Sequence, residues 1–254
     1  MSSRRWRGLK HLRLTLLSLL AFSLVCSPIL SADSGKIIST IKTEGATRSL
    51  LIRDEYAFIG ARDGLGIVDI SDVDKPKIIS EIKLKGEVLG ISISGNTLFA
   101  AVYRMGLVII DVSHPGFPQV KEVYEFKTAI YNLLVAGSLA YVASSQGLII
   151  LDISDKFTPR EIGLFETESA VYDICINGDW AYILDNSCVE EYQGRLYAVD
   201  ISDPRHPKPG SQLDLPFPMK VVAVDNYLYV ADGGLYVFDI SAPSQPKKCK
   251  AIFT

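Results

Sequence analysis

A short pattern recurs five times along this chain and constrains its fold more than any other feature. Each copy places two apolar residues before an Asp, and then an apolar residue and a Ser. The copies occupy residues 66–71, 108–113, 149–154, 197–202 and 236–241. Their aspartates, Asp69, Asp111, Asp152, Asp200 and Asp239, lie 42, 41, 48 and 39 residues apart. A period of this length indicates one supersecondary unit per repeat, stacked on its neighbours.

Each repeat resolves into four short strands. In the second repeat they cover residues 88–94, 97–103, 107–112 and 119–125, and Gly, Asn and Pro turns separate them. Such runs of Val, Ile, Leu and Tyr predict strands joined by hairpins. The third run is apolar on both faces, so both faces must be covered. Radially packed four-stranded blades provide that cover, and the sequence therefore predicts an all-β fold, an antiparallel β-propeller.

The repeated segments resemble the LVIVD repeats of exported bacterial and archaeal β-propeller proteins, whose function is largely unassigned. The resemblance rests on the apolar-apolar-Asp-apolar-Ser core and covers about residues 36–254. It implies a propeller fold and an extracytoplasmic location. It implies no reaction, because the family has no signature catalytic residues to carry over.

The number of blades depends on how the ends of the repeat region are read. Residues 36–43 read like the outermost strand at 77–83, and residues 246–254 also read like an outermost strand. We expect five blades with one surplus strand. The alternative is a six-bladed ring that lacks part of a blade.

Residues 1–32 have the composition of a secretory signal peptide. They contain five cations and no acid, then an apolar run at 14–25, then small residues at Ser31 and Ala32. The apolar run is shorter than the roughly 20 residues that span a bilayer as a helix. We therefore expect residues 33–254 to be exported to the periplasm, the cell surface or the medium. An uncleaved anchor and lipid attachment at Cys26 are the alternatives.

The net charge of the chain limits the classes of partner that it can bind. Removing five cations from 26 basic and 29 acidic residues leaves 21 against 29, a net charge of −8. This balance disfavours nucleic acid and anionic membrane surfaces as partners, so we expect a protein or glycan partner and a monomeric chain.

The mature part has three cysteines, of which Cys175 and Cys188 are candidates for a disulfide. The strand register opposes that pairing, because it places Cys175 near Ala181 or Tyr182.

No constellation of reactive residues appears in the sequence. We expect each repeated Asp to cap its own turn, and two of the three histidines lie in Pro-rich turns. No catalytic residue, metal or cofactor is therefore predicted. The alternative is an enzyme of hydrolase, lyase or quinoprotein type at the channel mouth, near Arg48, Glu87, Asp173 and Lys220.

The fourth repeat carries an insertion at residues 185–193, between its second and third strands. This loop would emerge on the same face as the connections between blades, and binding residues concentrate on such loops. The alternative is a solvated insertion without a role. The sequence thus predicts an exported binding or scaffold module at the cell envelope. Its candidate ligand residues are Arg62, Asp63, Tyr103, Arg104, Glu168, Asp185, Glu190, Glu191, Tyr192 and Asp232.

Overall fold

The structure is a computed structural model that describes residues 37–43, 45–187 and 193–252. The chain divides into two compact units, residues 1–38 and 39–254, and every strand that the structure describes lies in the second. The strands form five four-stranded antiparallel sheets, here called blades 1 to 5 in chain order. The described residues contain no helix of the length and apolarity that crossing a bilayer requires. The predicted all-β propeller architecture with five blades is confirmed.

The strands follow one another across each blade from the innermost to the outermost. The innermost strands are β1 (Thr47–Arg53), β5 (Val88–Ser94), β9 (Ile130–Ala136), β13 (Val171–Asn177) and β17 (Lys220–Val224). The second strands are β2 (Tyr56–Ala61), β6 (Thr97–Val102), β10 (Leu139–Ser144), β14 (Trp180–Ser187) and β18 (Tyr227–Ala231). The third strands are β3 (Gly64–Asp69), β7 (Gly106–Asp111), β11 (Gly147–Asp152), β15 (Gln193–Asp200) and β19 (Leu235–Asp239). The outermost strands are β4 (Lys77–Lys83), β8 (Gln119–Tyr124), β12 (Arg160–Glu166), β16 (Lys208–Leu215) and β20 (Lys247–Ile252).

The core lies between consecutive blades. Phe58 of β2 is buried in one cluster with Leu98 and Ile110 of blade 2. The other face of blade 2, with Phe99, packs on Leu133 of blade 3. Because both faces of the middle strands are covered in this way, a nearly continuous apolar run is the right sequence for them.

The two ends of the blades are named here by their connections. The lower face carries the hairpins between first and second strands and the turns between third and fourth strands. The upper face carries the turns between second and third strands and the connections from one blade to the next. This assignment follows from the strand order in each sheet.

The repeated aspartates cap turns on the lower face, as predicted. The Oδ1 atom of Asp111 accepts a hydrogen bond of 2.9 Å from the backbone N–H of Ser113. The same bond measures 2.8 or 2.9 Å at Asp69, Asp152, Asp200 and Asp239. These bonds to the serine two residues later hold the pKa of each carboxyl below its usual value.

Two expectations about strand boundaries are wrong. Residues 37–43 form no strand, although an outermost strand was expected at 36–43, and residue 36 lies outside the described residues. Each sheet already has an outermost strand of its own, and Ile41 instead packs on the face of blade 1, against Ala57 and Ile59. The insertion at 185–193 is also less of a loop than expected. Its ends extend the ladder of β14 and β15, with Asp185 opposite Arg195 and Ser187 opposite Gln193.

The expected register of Cys175 is confirmed. It lies opposite Tyr182 in the ladder of β13 and β14, and its side chain is buried and free. Burial raises the pKa of the Cys175 thiol to about 12, so the residue serves as a small apolar core residue. Cys188, like Cys26 and the proposed signal peptide at 1–32, lies outside the described residues.

Candidate binding face

Backbone hydrogen bonds fix the loops of the upper face to one another. The N–H of Tyr103, in the turn between β6 and β7, donates to the carbonyl of Glu87 in a blade connection, at 2.8 Å. The N–H of Ser145 donates to Ala129 in the same way at 2.9 Å. Side chains on these loops are therefore presented by a rigid frame, which is how functional loops are usually held.

Three tyrosines form a row across this face. The ring centroids of Tyr103 and Tyr131 lie 6.4 Å apart with an interplanar angle of 32°. The ring centroids of Tyr131 and Tyr172 lie 4.6 Å apart at 44°. Tyr131 and Tyr172 occupy β-bulges near the start of β9 and β13, where the ladder register shifts by one residue. A bulge re-aims the extra side chain, so the row depends on the same irregularity in two neighbouring blades.

Arg104 ends the row at blade 2. Its guanidinium carbon lies 5.2 Å from the centroid of the Tyr103 ring, which is cation–π distance. The residue has a φ of 61°, in the left-handed region that side chains other than Gly, Asn and Asp rarely occupy. Strained backbone of this kind is found preferentially at ligand sites. Arg104 is also exposed to solvent.

A basic depression adjoins the row between blades 2 and 3. It has a volume of about 650 Å³, and Ile130, the neighbour of Tyr131 in sequence, lies in its wall. The charged residues that line it are Lys85, Arg104, Lys127 and Glu125. Three cations against one acid give this depression a local positive charge, although residues 33–254 are acidic overall.

The four residues expected at the channel mouth form two ion pairs. Arg48 Nε lies 2.5 Å from Glu87 Oε1, and Lys220 Nζ lies 2.8 Å from Asp173 Oδ1. Asp173 is buried and also accepts hydrogen bonds from the side-chain amide of Asn132 and the backbone N–H of Val221, each at 2.7 Å. This carboxylate therefore joins blades 3, 4 and 5.

A second polar cluster lies in blade 4 beside the insertion. The Tyr197 hydroxyl donates to Asp185 Oδ2 at 3.0 Å, and Arg195 lies 2.5 Å from Glu168 Oε2. Burial raises the pKa of Asp185, and burial also raises that of Tyr197. Arg195 also donates to the Tyr197 hydroxyl at 3.3 Å, so the cluster holds two expected site residues together. Among the described acids of this cluster, Asp185 is buried, whereas Glu168 and Asp214, whose Oδ1 atom lies 3.5 Å from Arg195 Nε, are open to solvent.

The remaining expected site residues that the structure describes are not brought to the tyrosine row. Arg62 and Asp63 are exposed in the upper turn of blade 1. Asp232 is buried in the upper turn of blade 5, where Oδ1 accepts the N–H of Phe217 at 2.7 Å and burial raises its pKa. Glu190, Glu191 and Tyr192 lie outside the described residues.

Within the described ranges, no group of three or more His, Cys, Asp or Glu side chains is placed to hold a metal.

Tyr103 and Arg104 were among the site residues predicted from the sequence, whereas Tyr131 and Tyr172 were not. Both missed tyrosines hold the second position of an innermost strand, where β5 has Leu89. Aligning the innermost strands position by position would have exposed this pair of aromatic residues. The bulges that bring the rings together leave no comparable mark in the sequence.

The sequence pattern of the LVIVD repeat matches five segments of this chain. They are residues 44–82, 85–125, 131–167, 170–209 and 219–251. Among curated proteins, none matches the chain in sequence.

Several solved structures of low sequence identity resemble this chain. The computationally designed Ika8 protein is 14% identical, with a TM-score of 0.58 over 79% of this chain and 60% of its own. The Cps50 (Swd1) β-propeller domain of Myceliophteria thermophila is 13% identical, with a TM-score of 0.65 over 84% and 74%. A Bacteroides fragilis protein provisionally named a 6-phosphogluconolactonase is 12% identical, with a TM-score of 0.66 over 84% and 73%. At these identities the likeness shows the fold alone.

Proposed function

The chain belongs to the LVIVD repeat family, and we propose that it is an exported binding module whose upper face holds an acidic oligosaccharide. The observation that carries this proposal is the row formed by Tyr103, Tyr131 and Tyr172 beside a basic depression. The site lies on a rigid propeller frame, and the row needs no moving part to form.

The tyrosine rings suit the apolar faces of sugars. The face of an aromatic ring carries partial negative charge, and the C–H groups on one side of a pyranose ring carry partial positive charge. Rings spaced 4.6 and 6.4 Å apart offer successive platforms along an extended chain of sugars. The tilts of 32° and 44° favour a curved or twisted ligand over a flat one.

The neighbouring cations suit a carboxylate or sulfate on the sugar. Arg104 presents a planar donor group that matches a carboxylate in two hydrogen bonds. Lys85 and Lys127 add charge on the other walls of the depression. A neutral oligosaccharide would use the tyrosines alone, so charge gives the site a means of selection.

The channel mouth supports binding over catalysis. Arg48 and Glu87 neutralise each other, and Asp173 is engaged by three donors. A catalytic base or acid needs a lone pair or a proton directed at a substrate. These side chains instead form ion pairs and hydrogen bonds with other groups of the protein.

Export is part of the proposal and rests on residues 1–32. A cleavable signal peptide predicts that the protein recovered outside the cytoplasm begins near residue 33. N-terminal sequencing of that protein tests the point, and a mature protein that retains its first residues and partitions into membranes would indicate an anchor instead.

An oligosaccharide array followed by calorimetry tests the binding proposal. We expect acidic oligosaccharides to bind and their neutral counterparts to bind at least tenfold more weakly. Tyr131→Ala should lower affinity at least tenfold, as expected for an aromatic residue at the centre of a site. Tyr131→Phe keeps the ring and should bind nearly as well as the natural chain. Tyr227→Ala is the matched control, because Tyr227 is 46% exposed at the lower end of blade 5. Equal binding by the Tyr131→Ala and Tyr227→Ala variants would reject the site.

A further inference from the structure

Each innermost strand has a ladder partner on one side only, and side chains of neighbouring blades bind the backbone at its other edge. The N–H of Val135 in β9 donates to Ser92 Oγ of β5 at 3.0 Å. The N–H of Val221 in β17 donates to Asp173 Oδ2 of β13 at 2.7 Å. Because backbone groups that are buried need such partners, polar side chains of one innermost strand bind the backbone of the next.

Asn132 and Asp173 connect this linkage to the tyrosine row. Each directly follows a bulge tyrosine, Tyr131 in β9 or Tyr172 in β13. The Asn132 side chain accepts the N–H of Leu133 at 2.9 Å and donates to Asp173 Oδ1 at 2.7 Å. A single side chain therefore binds the backbone beside the bulge of blade 3 and the residue beside the bulge of blade 4.

The amide of Asn132 is confined by the blades on both sides. Gly90 holds the equivalent position in β5, and a Cβ atom there would lie 2.9 Å from the Asn132 Cα and nearer still to its Oδ1. On the other side Asp173 is 3% exposed and is also bound by Lys220 and by the N–H of Val221. Packing and hydrogen bonds thus fix the amide in one place, which is how supporting residues hold a binding group in position.

The spacing of the rings agrees with this linkage. The residues that follow Tyr131 and Tyr172 are hydrogen-bonded to each other, and the two ring centroids lie 4.6 Å apart. Between blades 2 and 3 the equivalent position is Gly90, which has no side chain to donate, and the centroids of Tyr103 and Tyr131 lie 6.4 Å apart.

We infer that Asn132 is a positioning residue of the tyrosine row, and that its hydrogen bond to Asp173 sets the spacing of the Tyr131 and Tyr172 rings. The bond holds β9 and β13 together at the point where each strand bulges, and the bulges aim the rings. The spacing is a property of the free chain. Its effect on affinity rests on the proposed oligosaccharide site.

Two single variants of the full chain test this role. Asn132→Leu nearly keeps the size of the side chain but removes both of its hydrogen bonds. Because Asp173 retains Lys220 and the N–H of Val221, we expect this variant to fold. Ser92→Ala is the matched control, since it also removes a bond to the backbone of β9 but does not adjoin a tyrosine. Circular dichroism should show folded protein for both.

Nuclear Overhauser contacts between the Tyr131 and Tyr172 rings report their spacing without a ligand. We expect strong contacts in the natural chain and in Ser92→Ala, and the loss of most of their intensity in Asn132→Leu. Asn132→Asp alone should also lose them, because it places two carboxylates together. Combining Asn132→Asp with Asp173→Asn should restore them, because an amide again donates to a carboxylate. Unchanged contacts in a folded Asn132→Leu variant would overturn the inference, as would a folded double variant that lacks them.

Calorimetry with trigalacturonic acid, an acidic trisaccharide, separates this inference from the proposed function. Asn132→Leu should lower affinity about fivefold, whereas Ser92→Ala should bind like the natural chain. If Asn132→Leu separated the rings but bound as tightly as the natural chain, its effect on recognition would be refuted. Failure of the natural chain to bind any acidic oligosaccharide would reject the sugar site, and the ring contacts would still decide the positioning role.

Discussion

The upper and lower faces of the blades come from the same five repeats but follow different rules. On the lower face every blade uses the same turn, with an Asp to Ser backbone bond of 2.8 or 2.9 Å. On the upper face the bulge residue of the innermost strand changes from blade to blade. It is Arg48 in blade 1, Leu89 in blade 2, Tyr131 in blade 3 and Tyr172 in blade 4.

This difference separates residues that build the repeated fold from residues that serve the function of this particular protein. A turn that recurs five times closes the third strand onto the fourth, and its chemistry is satisfied inside each blade. Side chains that differ between equivalent positions of the blades cannot have a structural role that all blades share. The tyrosine row and the basic depression therefore belong to the individual protein, and the Asp turns belong to the fold.

Asp173→Ala should have the largest effect on stability. Asp173 lies on the upper face, but we expect it to stabilise the fold and not to bind the ligand. The change leaves three donors from blades 3 and 5 without their buried acceptor. We expect the free energy of unfolding to fall by about 3 kcal/mol in denaturant titrations. Asp214→Ala, which removes an exposed carboxylate, is the control and should change little. Equal effects of the two changes would contradict the role given to Asp173.

Arg104→Gly should separate binding from stability. Glycine adopts a φ of 61° without strain, so the melting temperature should stay the same or rise. Affinity for an acidic oligosaccharide should nevertheless fall about tenfold, equivalent to about 1.4 kcal/mol. Arg104→Lys keeps the charge but not the planar donor pair, and should lie between the two in affinity. If Arg104→Gly bound as tightly as the natural chain, the basic depression would have no part in recognition.

Asp111→Ala and Asp152→Ala should have smaller effects that are nearly equal to each other. Both remove the same bonds, to Ser113 and Ser154, from equivalent exposed turns. Thermal melting should show a modest decrease for each, with oligosaccharide affinity unchanged. A large difference between the two variants would mean that the lower face is less uniform than its geometry indicates.

Acid should produce the smallest and most gradual change, through the five turn carboxyls. Hydrogen bonds lower the pKa of these carboxyls in the folded state from 3.8. Their contribution to stability is therefore complete above pH 3.8 and is lost as the pH falls through the folded-state pKa. Asp185 and Asp232 have the opposite sign, because burial raises their pKa and their contribution is lost as the pH rises. Hydrogen bonds in the same turns also lower the pKa of Asp155 and Asp203, so seven groups against two predict a melting temperature that decreases below pH 3.8. The Asp111→Ala variant should show a shallower decrease, and an unchanged slope would contradict this assignment.

The regular part of the molecule was predictable from the sequence, and the site was predictable only in part. The period of the Asp residues fixes the blades, and the strands of blade 2 match the expected ranges within one residue. Asp185 and Asp232 were expected on a binding surface but are buried, because the ladder of β14 and β15 and the turn of blade 5 enclose them. Tyr131 and Tyr172 were missed because their meeting depends on two bulges and on the packing of adjacent blades. These are tertiary features without a local sequence signal.

The central claim, that the upper face holds the ligand through three tyrosines, is tested most directly by nuclear magnetic resonance. Isotope labelling of the 12 tyrosines gives ring signals that can be assigned by single Tyr→Phe changes and followed as an acidic oligosaccharide is added. We predict that the signals of Tyr103, Tyr131 and Tyr172 shift together with one dissociation constant, while that of Tyr227 remains in place. Shifts confined to other tyrosines would contradict the account.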